Sequence, residues 1–124
     1  MNAKQAVVKL ASLAQETRLR IFRLLVEAGS EGVNASAIAD ALDLAPATLS
    51  FHVAHLARAG LVNARQESRF IFYSVKYSAM DDLIAFLSQN CCHGNACMPK
   101  TAAINSNEKR RRISKKQVKD IPTQ

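Results

Sequence analysis

The 124-residue sequence predicts a mainly α-helical domain that carries one small β-hairpin. Apolar residues recur with helical periodicity in five segments, and the third and fourth are separated only by the tight turn Asp43-Leu44. Two runs rich in β-branched and aromatic residues follow the fourth segment and favour paired strands. Two short helices around a tight turn, followed by a hairpin, predict a winged helix-turn-helix.

The first two helices are predicted over residues 4–14 and Thr17–Ala28, and Gly29 supplies a stop for the second. The third helix is expected to begin at a cap provided by Asn34. Pro46 suits the first position of the fourth helix, although Ala45 before it is a weak cap. The residues predicted to face the core are Val7, Leu10, Ala11, Ala14, Ile21, Leu24, Leu25, Ala28, Ile38, Ala41, Leu42, Leu49, Val53 and Leu56.

The hairpin is predicted from strands Leu61–Arg65 and Arg69–Val75, joined by Gln66-Glu67-Ser68. A last helix is expected over residues 78–90, after a start that resembles a capping box. This organisation predicts a DNA-binding and dimerisation domain over residues 1–90, a cysteine cluster over 91–98 and a basic disordered tail over 99–124. The last helix is expected to bury Met80, Leu83, Ile84 and Leu87.

The net charge of +7 is unevenly distributed. Residues 1–98 carry a net charge of +1, whereas residues 99–124 carry +6. The basic tail would either add salt-dependent affinity for DNA or simply be solvated. No secretory signal and no apolar run of about 18 residues is present in the sequence, so a cytoplasmic protein without a membrane partner is expected.

The outer face of the fourth helix is the predicted DNA-reading surface, since the second helix of a helix-turn-helix enters the major groove. Phe51 is the most informative residue there, because an exposed aromatic side chain suits contact with a thymine methyl group. An incidental exposed apolar residue remains the alternative for Phe51, and His52 would either pack or contact DNA. The predicted DNA contacts are Ala47, Thr48, Ser50, Phe51, His55, Arg58, Arg65 and Arg69.

All three cysteines, Cys91, Cys92 and Cys97, lie within seven residues. Thiolates are soft ligands and select thiophilic ions. As(III) and Sb(III) suit three sulfurs, whereas structural zinc usually has four ligands arranged as spaced pairs. His93 would make a poor fourth ligand and is either a bystander or a modulator of thiolate formation. A zinc or cadmium site, a thiol redox or persulfide switch and accidental clustering remain alternatives.

Four stretches of the sequence resemble the ArsR/SmtB family of metal-responsive repressors, over about residues 4–90. The resemblance implies a homodimer, paired through the first and last helices, that binds a palindromic operator and leaves it when an inducer binds. The stretches are Thr17-Arg18-Leu19-Arg20-Ile21, Ala37-Ile38-Ala39-Asp40-Ala41-Leu42, Thr48-Leu49-Ser50-Phe51-His52-Val53 and Leu56-Ala57-Arg58-Ala59-Gly60-Leu61-Val62.

The sequence departs from two metal-binding patterns of that family. These departures reduce the number of ions expected as inducers. Residues 32–36 lack the cysteines that the best-known arsenic sensors carry at the third helix. The last helix has Asp81 and Asp82 but none of the histidines of the zinc sensors. An adjacent cysteine pair with a third cysteine after the last helix is similar to an arsenic-responsive subgroup. The resemblance therefore implies As(III) or Sb(III) as inducer on Cys91, Cys92 and Cys97, without an organic cofactor.

Two other classes of protein compete with a repressor. A metalloid buffer would need the cysteines but not Ser50, Phe51 or the hairpin. An enzyme is disfavoured because the spacing between Cys92 and Cys97 is not the Cys-x-x-Cys of thiol oxidoreductases. The sequence also lacks an evident pair of nucleophile and base. We therefore expect a DNA-binding protein without catalytic activity.

Overall fold

The computed structural model describes residues 1–94, and the winged helix-turn-helix prediction is confirmed within them. The body of the fold spans Met1–Leu87, and the chain from Ser88 onward belongs to a second unit. Cys97 and the predicted tail lie outside the described residues. The elements of the fold are α1 (Ala3–Leu13), α2 (Glu16–Ala28), β1 (Val33–Asn34), α3 (Ala35–Leu42), α4 (Pro46–Arg58), β2 (Val62–Glu67), β3 (Phe70–Val75) and α5 (Tyr77–Ser88).

Side-chain caps account for the starts of the first two helices. The Asn2 side chain accepts a hydrogen bond from the Gln5 backbone N–H at 2.8 Å, and the Gln5 side chain accepts one from Asn2 N–H at 2.9 Å. This reciprocal capping box satisfies two N–H groups that would otherwise lack helical partners. The Gln15 side chain accepts a hydrogen bond from Arg18 N–H at 2.9 Å. Both helices consequently begin one residue earlier than predicted.

The helix-turn-helix has the predicted signals at both of its helix starts. The Asn34 side chain accepts a hydrogen bond from Ser36 N–H at 2.9 Å. Helix α3 ends at Leu42, and the left-handed backbone of its C-cap Asp43 (φ 56°) reverses the chain. Helix α4 then begins with Pro46, and Ala45 gives it no side-chain cap. The turn that brings α4 across α3 is therefore encoded locally.

The core lies where α2, α3, α4 and the base of the hairpin meet. The predicted stripe of α4 is confirmed, because Leu49, Val53 and Leu56 are all buried. Leu61 is also buried, so the hairpin is attached directly to the end of α4. The described residues with fully buried large apolar side chains are Ile21, Leu25, Ile38, Val53, Leu56 and Leu61.

The wing is a three-stranded antiparallel sheet in the order β1-β3-β2, rather than the two-stranded hairpin that was predicted. Strand β1 has only two residues, and it pairs Val33 with Tyr73. Such a short strand shows no alternation in the sequence, which is why pattern reasoning missed it. Gly32 has a φ of +88°, and a Cβ atom there would lie 2.9 Å from the Tyr73 carbonyl oxygen. Glycine is thus required where β1 approaches β3.

The connection between the two long strands is also shorter than predicted. Glu67 pairs with Phe70, so only Ser68 and Arg69 join β2 to β3. Ser68 has a left-handed backbone (φ 62°), which permits this tight reversal. The predicted three-residue connection was wrong because Gln66 and Glu67 continue the ladder of β2.

Several apolar residues predicted to be buried are exposed in the single chain. Val7 is 61% exposed and Leu10 39% exposed on α1, while Ile84 is 54% and Leu87 60% exposed on α5. Periodicity locates an apolar face but does not say whether the domain's own core covers it. In α1 the buried residues are instead Ala6 and Ser12; the other predicted core residues that are exposed are Ala11, Ala14, Ala28 and Ala41.

The length and hydrophobicity of the described helices decide whether any of them could span a membrane. No helix within residues 1–94 is both long and apolar enough to cross a bilayer.

Candidate nucleic-acid interface and thiol pair

Helix α4 presents the predicted outer face to solvent. Phe51 is 60% exposed, and Ala47, Thr48, Ser50 and Arg58 are exposed as well. The opposite side of the helix is held in the core, so these side chains project from a rigid support. The α4 sequence contains no acidic residue, which suits approach to phosphates. The outward placement of these five predicted contacts is confirmed, whereas their contact with DNA stays a prediction.

The two histidines of α4 are half-buried and turn towards other helices. His55 Nδ1 lies 2.9 Å from the hydroxyl oxygen of Ser12, which is fully buried in α1. His52 Nδ1 lies 3.2 Å from Nη1 of Arg18 in α2. The Arg18 Nε–H also donates a 2.7 Å hydrogen bond to the Ser12 carbonyl oxygen. A polar cluster of these four side chains thus connects α4 to α1 and α2.

This cluster alters the interpretation of both histidines. Burial, the Arg18 guanidinium and the neighbouring His55 lower the pKa of His52 below its ordinary value, which favours the neutral ring. The half-buried packing role considered for His52 is confirmed. His55 was predicted to contact DNA, but the structure places its ring against α1; a contact with DNA at this position stays a prediction.

The two predicted arginines of the wing occupy different positions. The Arg65 Nε–H donates to a Glu67 carboxylate oxygen at 2.8 Å, and Arg65 Nη1 donates to the Glu31 carbonyl oxygen at 3.2 Å. Its guanidinium also lies 4.9 Å from the centre of the Phe72 ring. Arg65 is therefore tied to the sheet, whereas Arg69 lies at the hairpin tip.

Phe70 is a wing residue that the sequence did not single out as a candidate. It is 48% exposed, and the Arg69 guanidinium lies 5.9 Å from the centre of its ring. The alternation of side chains along a strand predicts an apolar residue at this position. It does not indicate that the side chain stays exposed to solvent at the hairpin tip. Its exposure beside Arg69 places an aromatic and a cationic group together at the end of the wing.

Two of the three cysteines fall within the described residues. Cys91–Gly94 forms a short turn after α5, and the Cys91 and Cys92 sulfurs lie 3.4 Å apart. Cys92 and His93 have left-handed backbone angles, with φ of 53° and 55°. Residues 1–94 contain no group of three His, Cys, Asp or Glu side chains arranged to hold a metal ion. The three-thiolate site therefore depends on Cys97, which lies outside the described residues.

This chain is similar to known proteins in both sequence and fold. A family model described as a helix-turn-helix domain matches residues 13–65. The transcriptional activator HlyU of Vibrio cholerae is 33% identical over 94 residues, which cover 76% of this chain and 84% of HlyU. Its solved structure superposes with a TM-score of 0.60 over 73% of this chain and 96% of that chain. This chain belongs to the ArsR/SmtB family of transcriptional regulators.

Other proteins similar to this ArsR/SmtB-family chain are also named as a transcriptional regulator or a DNA-binding domain. The transcriptional regulator YgaV of Escherichia coli is 30% identical over 73% of this chain and 90% of its own. The homodimeric winged helix-turn-helix DNA-binding domain Mb0332 of Mycobacterium bovis is 26% identical, with a TM-score of 0.56 over 75% of this chain and 87% of that chain. HlyU and YgaV are regulators of transcription, which confirms the expectation that this chain is not an enzyme.

The structure of this ArsR/SmtB-family chain also shows a set of contacts that the sequence patterns did not predict. In the sequence, Ser12 was one of several polar residues of α1, and Arg18 was one cation in a charged stretch. Arg18 and His52 are 34 positions apart, and no local periodicity pairs them. The position of Ser12 between Ala11 and Leu13 gave no sign in the sequence that its side chain would be buried against His55.

Proposed function

We propose that this ArsR/SmtB-family protein is a homodimeric repressor that leaves its operator when As(III) or Sb(III) binds Cys91, Cys92 and Cys97. The observation that carries the proposal is the 3.4 Å separation of the Cys91 and Cys92 sulfurs on a chain that also presents a DNA-reading helix. Because such a repressor acts on DNA in the cytoplasm, we expect the protein there.

The DNA-binding half of the proposal is supported by α4. Helix N-terminal residues contact base edges in this class of motif, and Ala47, Thr48 and Ser50 occupy that part of α4. Small side chains at the start of the helix permit close approach to the duplex. Ser50 offers a hydroxyl group for hydrogen bonding, and Phe51 offers an apolar surface for a thymine methyl group. Arg69 at the wing tip would contact phosphates or the minor groove.

The dimer is supported by the apolar surface of α1 and α5. A cavity of about 400 Å³ lined by Gln5 and Lys9 of α1 and by Ala79 and Asp82 of α5 shows that the two helices lie on the same side of the body. Val7 and Ile84 are each more than half exposed. Contiguous exposed apolar surface marks protein interfaces, and a second copy would cover it. This placement agrees with the pairing that the family resemblance implies.

Changing Ile84 and Leu87 together to Asp is expected to convert the dimer into a monomer. Each substitution replaces apolar burial worth about 2 kcal/mol with a carboxylate that resists burial. Sedimentation equilibrium should show a loss of at least about 100-fold in dimer affinity, since 1.4 kcal/mol corresponds to tenfold. Leu19→Asp is the matched control, because Leu19 is 44% exposed on α2. A dimer that persists in the Ile84/Leu87 variant would exclude this surface as the interface.

The inducer half of the proposal is supported by the thiol pair. Thiolate sulfurs lie about 2.3 Å from a bound zinc ion, so two sulfurs sharing an ion of that size are at most about 4.6 Å apart. The 3.4 Å between Cys91 and Cys92 satisfies this limit without movement of either side chain. Gly94 would let the chain bend back to bring Cys97 to the same ion. Three sulfurs suit As(III), whose lone pair occupies the remaining direction.

Release from DNA requires a difference in affinity between two states of the dimer. The inducer must bind the DNA-incompetent state more tightly, and by linkage DNA must weaken inducer binding by the same factor. Drawing Cys97 towards Cys91 and Cys92 would reshape the end of α5 and change the spacing of the two α4 helices. That spacing is about one turn of DNA in a two-fold reader.

Titration of the protein–operator complex with separate ions tests the proposed inducer. A DNA duplex selected from a random pool serves as the probe. As(III), Sb(III), Cd(II) and Zn(II) are added under reducing conditions, and peroxide is added without a reductant. As(III) and Sb(III) are expected to release the duplex at concentrations near that of the dimer. Release by Cd(II) or Zn(II) with no effect of As(III) would contradict metalloid sensing while leaving the repressor intact.

A thiol redox regulator is the second candidate function, and the same sulfur pair favours it. Peroxide would accept two electrons and two protons from Cys91 and Cys92, giving a disulfide and two molecules of water. One neighbouring structure is that of reduced HlyU from Vibrio cholerae, with a TM-score of 0.58. Release by peroxide alone, reversed by a dithiol, would favour this candidate over the metalloid repressor.

A further inference from the structure

The polar cluster behind α4 includes Arg18 and His52, two side chains that the proposed DNA contacts and the proposed inducer site do not use. Arg18 contacts two elements at once: its Nε–H donates to the Ser12 carbonyl oxygen at the end of α1, and its Nη1 lies 3.2 Å from His52 Nδ1 on α4. Its own backbone N–H is capped by Gln15 at the start of α2. One residue therefore links three helices directly behind the DNA-reading face.

The hydrogen bond between Arg18 and His52 sets the protonation state of the imidazole ring. A guanidinium group has five donors and no acceptor, so His52 Nδ1 must accept. Only the neutral ring with its proton on Nε2 has a lone pair at Nδ1. Protonation of His52 would place two cations and two opposed donors 3.2 Å apart. The link between α2 and α4 thus exists only while His52 is neutral.

Arg18 and His55, the two basic groups near His52, both oppose its protonation. Arg18 of α2 and His55 of α4 each lower the pKa of His52 through electrostatic repulsion. On the α1 side, the Ser12 hydroxyl and carbonyl groups contact His55 and Arg18 rather than His52. The Phe51 ring lies 5.1 Å from the His52 ring in an edge-on arrangement, so the cluster adjoins a predicted base contact.

We propose that Arg18 is a positioning residue for α4, which it holds in the DNA-reading orientation through neutral His52 and releases when His52 is protonated. The inference rests on the proposed DNA-binding function and adds to it a dependence on pH. Because Phe51 and His52 are adjacent, loss of the link would disturb the outer face without removing any residue from it.

The direction of the pH dependence follows from the lowered pKa of His52. The state in which Arg18 holds His52 has the lowered pKa. At a given pH it therefore binds fewer protons than the state in which His52 is released. The positioned state is therefore fully stable above the ordinary histidine pKa of about 6.5. It loses stability as the pH falls through that range and through the lowered pKa. We expect operator affinity to fall between about pH 8 and about pH 5.5, by at most about tenfold for each His52, since pH 5.5 lies about one unit below the ordinary histidine pKa of about 6.5.

Two variants separate this role from a direct contact with DNA. His52→Asn keeps an acceptor oxygen at the position of Nδ1 and cannot be protonated in this range, so its operator affinity should not vary with pH. Arg18→Gln should bind less tightly at pH 8 and raise the pKa of the His52 ring, as followed by NMR. Arg20→Gln is the matched control on the exposed side of α2. This control should retain the wild-type pH response.

The measurements use the full-length dimer and a duplex selected from a random pool, at constant ionic strength. Thermal unfolding at each pH identifies a variant that fails to fold; if Arg18→Gln does so, His52→Asn still tests the proposal. Tighter binding in acid that depends on His52 would indicate a phosphate contact and overturn the positioning role. An unaltered His52 pKa in folded Arg18→Gln, or equal wild-type affinity at both pH values, would also overturn it. Failure to select any duplex at pH 8 would instead contradict the proposed repressor.

Discussion

Replacing Ser50 and Phe51 together by Ala is expected to lower operator affinity by at least about 100-fold. Both side chains are exposed on α4, and each lost base contact costs about 1–3 kcal/mol. A dimer loses both contacts in each of its two half-sites, so the total cost exceeds the 2.7 kcal/mol of a 100-fold change. Fluorescence anisotropy with a selected duplex measures the effect. Binding of As(III) by the free protein should not change.

The matched control for this double variant changes Leu19 and Ser30 to Ala. Both residues are exposed, and they have the same combination of one large apolar and one hydroxyl side chain away from α4. The control should bind the duplex like the wild type. Equal affinity of the Ser50/Phe51 variant and the wild type would remove α4 from the DNA interface and favour a metalloid buffer.

Changing Cys91 and Cys92 together to Ser is expected to leave operator binding intact and abolish its release by As(III). A hydroxyl group is a poor ligand for a thiophilic ion, so the As(III) concentration for half-release should rise by at least about 100-fold. Titration of the preformed protein–DNA complex measures this shift. His93→Ala is the control, since the proposal gives His93 no place among the ligands. Wild-type release from the Cys91/Cys92 variant would exclude the thiol pair as the sensor.

The single variant Cys97→Ser distinguishes the two proposed functions. A three-sulfur site loses a ligand and should respond much more weakly to As(III). A redox switch formed by Cys91 and Cys92 alone should still respond to peroxide. Retained release by As(III) in this variant would indicate that two sulfurs suffice, as a methylated arsenical requires.

Local signals in the sequence were sufficient for the helix-turn-helix. The Asn34 cap, the Asp43 turn and Pro46 act within a few residues of each helix end, and all three have their expected places in the structure. The stripe of α4 was predictable because a helix whose core face is fully buried has one unambiguous apolar side.

The same reasoning was wrong for part of the predicted burial on α1 and α5, although Leu83 is buried as predicted. Val7, Ile84 and Leu87 follow helical periodicity, but the single chain leaves them exposed. An apolar stripe has the same pattern whether it packs against the domain's own core or against a second copy. Strand β1 escaped prediction for a different reason, because two residues are too few to show a period.

The sequence by itself determined the order of the helices, the reading helix with Ser50 and Phe51 on its outer side, and three cysteines suited to a soft ion. These features depend on neighbours along the chain. Only the tertiary structure decided that His52 and His55 turn towards α2 and α1, that Arg65 is tied to Glu67 and Phe72, and that β1 completes the wing. Most of those contacts join residues more than 30 positions apart, and their pairing depends on how the helices and strands pack, which no local pattern records.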